Sequence, residues 1–197
     1  MTRFARFERY IGRLPQGLDS YPDVRCKASV LRTFIDTVDL SGFPFDAAPP
    51  AVRTLLQTQF LPTVSLAEAQ VMGTLHAVSD YLGYDDAATL RWMDDSNGRL
   101  LNGRFFRALM SLAAPSILVT MASRQWGHIH RGTRLTTERS NPPKMFLRFP
   151  DHLYDELIAR GMATGVRHAL SLCRATNPRV EMVSYTPTLV TYHLGWD

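Results

Sequence analysis

The chain has 197 residues, of which 45% are hydrophobic, 20% charged and 10% aromatic, a balance that excludes disordered, fibrous and repeat classes and suits one domain around one core. Its 22 basic and 18 acidic residues leave a formal charge of +4, too mild and too dispersed for a basic arm that grips nucleic acid. Two cysteines, Cys26 and Cys173, lie in opposite halves, which excludes a disulfide scaffold or zinc ribbon and points to a reducing, cytoplasmic setting.

Lys27 and Lys144 are the only lysines, so the positive charge is almost all arginine. This reads as the composition of a GC-rich genome rather than as an anion grip. The stretch from Met1 to Arg9 interleaves charges with aromatics and holds no apolar run of the length that a signal peptide or a membrane span needs.

Phe4, Phe7, Ile11 and Leu14 recur at helical steps before Pro15 and Gly17, predicting a short first helix. Val30, Leu31, Phe34, Ile35 and Val38 form a second stripe, closed by the loop of Gly42, Pro44, Pro49 and Pro50. Val52, Leu55, Leu56 and Phe60 continue with a helix opening at Pro50. Ser65-Leu66-Ala67-Glu68 has the spacing of a capping box, and the helix it would open carries Val71, Leu75, Val78 and Leu82 up to Gly83. A short helix over Asp86 to Met93 is expected before a turn at Asp95-Ser96-Asn97-Gly98. Leu101, Phe105, Leu109 and Leu112 predict another, and Pro115 opens a last one toward Arg124.

Beyond Gly132 the period falls to two. Arg134 to Arg139 and the alternation through Met145, Leu147 and Phe149 predict a hairpin about Asn141-Pro142-Pro143. A helix from near Asp151 would place Leu153, Leu157, Gly161, Gly165, Ala169 and Cys173 on one ridge. Val180 and Met182, then Val190, Tyr192 and Leu194, predict a second hairpin around Thr186-Pro187. The expected fold is therefore α+β: residues 1–131 mainly helical, packed on an antiparallel sheet of β-β-α-β-β order over residues 132–197. Val71, Leu75, Val78, Leu153, Leu157 and Met162 should be buried.

Chemistry is sparse. Asp94 to Gly98 resembles a calcium loop until the register is checked, when Met93 and Arg104 fall where carboxylates belong. His128 and His130 flank Ile129 and would share one side of an extended segment, but two imidazoles do not make a metal site. His76 is read as a neutral histidine held by Asp80 one helical turn away. There is no Gly-x-Ser-x-Gly elbow and no phosphate-cradling loop, so no enzyme, cofactor or metal is expected. The densest mixture of cationic, aromatic and glycine residues runs from Arg124 to Arg134. Within it Arg124, Trp126, His128, His130, Arg131 and Arg134 are the candidate ligand- or partner-binding residues.

Arg13 to Pro22, Lys27-Ala28-Ser29, Arg131-Gly132-Thr133 and Asn177-Pro178-Arg179-Val180 resemble a myxobacterial family of uncharacterised proteins of similar length. The closing strand order is similar to haem-nitric-oxide-binding and 4-vinyl-reductase-type sensor domains, which hold small ligands between helices and sheet. That resemblance implies a non-enzymatic binding or sensory module for a small hydrophobic or aromatic molecule. The Tyr-x-Ser-x-Arg motif by which the haem relatives hold propionates is absent, leaving His76 as the one axial ligand to test. The alternative is a protein-protein interaction module that uses the arginine-rich surface and forms a homodimer, with no nucleic acid and no membrane span.

Overall fold

The computed structural model describes residues 4–102, 115–173 and 175–197. Helices α1 (Ala5–Ile11), α2 (Ala28–Ile35), α3 (Pro50–Gln57), α4 (Glu68–Tyr81), α5 (Asp86–Leu101) and α6 (Pro115–Ile129) precede an antiparallel sheet in which β4 (Arg134–Glu138), β5 (Lys144–Arg148), β7 (Leu189–Gly195) and β6 (Arg179–Thr186) lie in that order. Helix α7 (Glu156–Leu172) links β5 to β6. The fold is α+β, with the helical part packed on a C-terminal sheet of β-β-α-β-β order.

Alternation does the packing in this sheet. Leu135, Leu147 and Val190 stand opposite one another across three strands, as do Met145 and Tyr192, and all five are buried. Side chains directly opposite share a face, so one side of the sheet is apolar and receives α7. There the Tyr192 hydroxyl donates to the Ala159 carbonyl at 2.7 Å. Helix α5 lies across α7, where a Cβ at Gly161 would overlap the Met93 thioether. The Asp94 carboxylate fastens the pair by accepting from Arg167 at 2.6 and 2.7 Å, with His168 Nε2 2.9 Å away.

A second, smaller sheet sits within the helical part. The sequence pattern does not reveal it: β1 (Arg25–Lys27) lies between β2 (Ser65–Ala67) and β3 (His130–Arg131). Its strands are too short to show a period. Ser65-Leu66-Ala67-Glu68 is consequently not a capping box: Ser65 to Ala67 are strand, no side chain caps α4, and Glu68 is buried. Two aspartates cap other helices instead, Asp85 accepting from the Ala88 amide at 2.7 Å and Asp155 from the Ile158 amide at 2.9 Å.

Three further expectations are corrected. Helix α5 runs unbroken through Asp95 to Gly98, because Ser96 is buried and Asn97 is turned onto α7, its amide donating to the Gly161 carbonyl and the Thr164 hydroxyl. Helix α7 begins at Glu156, capped by Asp155, so Leu153 belongs to the preceding turn. Leu157 and Met162 are half-buried where full burial was expected, while Val71, Leu75, Val78 and Leu153 are buried. The helix expected from Leu101 to Leu112 lies almost wholly outside the described residues. Among the described residues no helix is long and apolar enough to cross a membrane.

Gly132 joins the two sheets. Its φ is +86°, and a Cβ there would stand 3.0 Å from the Val24 Cα, so conformation and space both require glycine. Gly127, inside α6, has open space around it. Gly132→Ala should therefore lower stability by about 1–3 kcal/mol, whereas Gly127→Ala should raise it by about 0.5–1 kcal/mol. Denaturant unfolding of both variants measures the difference.

Candidate functional site

The segment selected from sequence divides in two. Arg124 and His128 are exposed on α6, and Arg131 and Arg134 are exposed on β3 and β4. Among the described residues the three arginines make no ion pair. Trp126 and His130 turn inward, their rings stacked with centroids 3.9 Å apart and planes within 10°. His128 is thus helical and exposed while His130 is in a strand and buried, so the two imidazoles do not share a side. Among the described residues no three His, Cys, Asp or Glu side chains are grouped to hold a metal ion.

His130 is held from behind. Its Nδ1 is 2.7 Å from Oε1 of Glu68, and the same oxygen accepts from the Tyr154 hydroxyl. Burial and then the Glu68 charge push the Tyr154 phenol well above its ordinary value, so the phenol keeps its proton and is the donor. Glu68 is placed by the small sheet, its amide donating to the Val24 carbonyl at 3.0 Å. Cys26 stands directly opposite His130 on β1, where burial and then Glu68 push its thiol well up. A protonated, enclosed thiol is a packing residue rather than a nucleophile.

Sequence reasoning missed Glu68 and Tyr154. The available signal was α4 itself, apolar or small on every side from Ala69 to Ala77 apart from Gln70, Thr74 and His76: a helix buried all round leaves its first-turn acid no solvent to face. His76 is not held by Asp80 but stands 3.2 Å from Oδ2 of Asp155. The alignment is too poor for a hydrogen bond at His76 Nε2, so the contact is a close polar pairing. Asp80 instead accepts from the Arg6 and Phe7 amides. Burial acts to raise the Asp155 carboxyl, but His76 and the Ile158 amide outweigh it and hold it below its usual value. That stabilisation is present above the ordinary carboxylate range and lost as pH falls through the lowered value.

Trp126 and His130 border an apolar cleft of about 210 Å³ between helices and sheet. Phe34, Leu75 and Met93 wall it from α2, α4 and α5; Leu135 and Met145 from the sheet; Ile158 and Gly165 from α7. Among the described residues its polar side chains are Asn97, Gln125, the indole and His130. The indole nitrogen already donates to the Thr133 hydroxyl at 2.9 Å.

Neither a family model nor a curated protein matches the chain. Solved structures do. A structure from a study of haem distortion in the H-NOX family superposes with a TM-score of 0.60 at 10% identity, covering 87% of this chain and 95% of that one. An oxygen-binding H-NOX domain related to soluble guanylate cyclases gives 0.59 at 9%, with the same coverage. A point variant of the T. Tengcongensis H-NOX gives 0.59 at 10%, covering 87% and 97%. The chain has the H-NOX fold.

The cleft residues must be tested separately, because a fold does not carry a cofactor. Haem needs an axial side chain on iron and partners for its propionates. All six histidines of the chain are described, and of these His130 borders the cleft, with one ring face covered by Trp126 and one edge held by Glu68. His76 packs on Tyr10, ring centroids 4.9 Å apart, and does not border the cleft. No lysine or arginine among the described residues borders it. On these residues the cleft of this H-NOX fold does not fit haem.

Tyr154→Phe should cost about 1–3 kcal/mol, because Glu68 loses a buried donor. Urea unfolding that matches wild type would show that the carboxylate does not depend on it.

Proposed function

We propose that the chain is a non-enzymatic binding or sensory module that holds a small hydrophobic or aromatic molecule in the cleft between α5, α7 and the sheet. The observation that carries this reading is the cleft's lining: apolar walls from every layer of the fold, ending at a stacked Trp126–His130 pair. Apolar concavities with a few converging polar groups are the usual form of small-molecule sites. The H-NOX fold supports the sensory part by analogy only.

Nile red, an uncharged apolar dye, tests the reading. Wild-type protein should raise its emission saturably, and Met162→Trp, which adds bulk at the cleft wall, should weaken binding at least about tenfold without lowering Tm. Equal binding by the variant would remove the cleft as the site.

A second reading rests on the outward half of the segment. Arg124, Arg131 and Arg134 offer three exposed guanidiniums, which suit carboxylates on a protein partner. Polyglutamate should then bind the wild-type chain, and replacing all three with alanine should abolish binding at unchanged Tm. Retained binding would leave these side chains as solvated surface.

A further inference from the structure

The charge balance at the inner end of the cleft says what kind of head group it accepts. Among the described residues His130 is the only ionisable side chain that borders the cleft, and its Nδ1 faces the Glu68 carboxylate at 2.7 Å. Resting on the cleft being the ligand site, we propose that Glu68, acting through His130, makes it select uncharged ligands over carboxylates of the same shape.

The carboxylate fixes the imidazole by accepting its Nδ1 proton, because Glu68 Oε1 also takes the Tyr154 hydroxyl hydrogen and has none to give. His130 Nε2 is then the free polar atom of the ring and makes no hydrogen bond within the described residues. On a neutral ring this nitrogen is an acceptor. A ligand hydroxyl or amide N–H can donate to it. A ligand carboxylate would meet lone pair with lone pair.

If the ring gains a proton, its charge is already answered by Glu68, and a second carboxylate finds no unpaired cation in the described lining. The surroundings make that mismatch costly. Glu68 is wholly buried and its Oε2 has no partner among the described residues, so the site already contains one incompletely satisfied carboxylate, and an unpaired buried charge is strongly unfavourable. The other polar groups do not repair this. Asn97 spends its amide hydrogens on the Gly161 carbonyl and the Thr164 hydroxyl, and Gln125 is uncharged. Neutral ligands encounter none of these conflicts.

Two probes with one hydrocarbon body, 2-naphthaleneethanol and 2-naphthaleneacetate, test the proposal by displacement of Nile red. The alcohol should displace the dye at a concentration at least about tenfold lower than the carboxylate. Equal displacement, or a preference for the carboxylate, overturns the proposal while leaving the cleft as the site. Dye binding unaffected by Met162→Trp overturns the cleft reading, and this inference with it.

Glu68→Gln keeps an acceptor oxygen for Tyr154 and His130 but removes the charge, so a ligand carboxylate no longer meets a second buried anion. The alcohol-to-carboxylate ratio should shrink, chiefly through tighter carboxylate binding. A ratio unchanged from wild type overturns the role of Glu68. His130→Leu provides the independent variant: the alcohol should lose affinity and the carboxylate should gain none, whereas an unchanged alcohol affinity overturns the role of His130.

Discussion

One buried carboxylate sets the terms for the centre of this molecule. Glu68 is wholly enclosed, and an enclosed carboxylate persists only with donors held against it. Those donors come from distant parts of the chain: Tyr154 from the turn before α7, His130 from β3. The carboxylate therefore fixes where α4 begins, where β3 lies and how the turn after β5 enters the core. With His130 fixed, the indole of Trp126 has a flat partner and the cleft has an end wall.

Elements with a long internal period were legible in the sequence. The β4–β5 and β6–β7 hairpins follow from alternation, α2 follows from its apolar stripe, and α3 from a stripe that opens at Pro50. Elements defined by partners were not. Strands of two or three residues carry no period, so β1 to β3 are invisible until paired. Ser65-x-x-Glu68 satisfies a local capping rule and a tertiary role equally well in letters; burial of α4 decides for the second. His76 has Asp80 at ideal helical spacing, yet Asp155 is its neighbour because both lie at the α4–α7 junction. Asp95 to Gly98 reads as a turn, but Asn97 is consumed by contacts to α7.

The candidate site was half legible for the same reason. Composition pointed to the segment from Arg124 to Arg134, but composition has no inside or outside. The passage from α6 to β3 between Ile129 and His130 is what sends Trp126 and His130 toward the core and leaves the arginines in solvent. The chain thus combines the H-NOX fold with a cleft border lacking propionate partners among its described residues.

Trp126 touches the chain on both sides of Gly132: its ring lies on His130, in the small sheet, and its nitrogen holds Thr133, beside the large one. The indole is in effect a strut across the joint between the two sheets. Rotation of either sheet about Gly132 must slide the stacked rings or stretch the bond to Thr133, and anything wedged against the indole from the cleft loads that joint directly. The wall of the cleft and the brace between the two sheets are therefore one side chain.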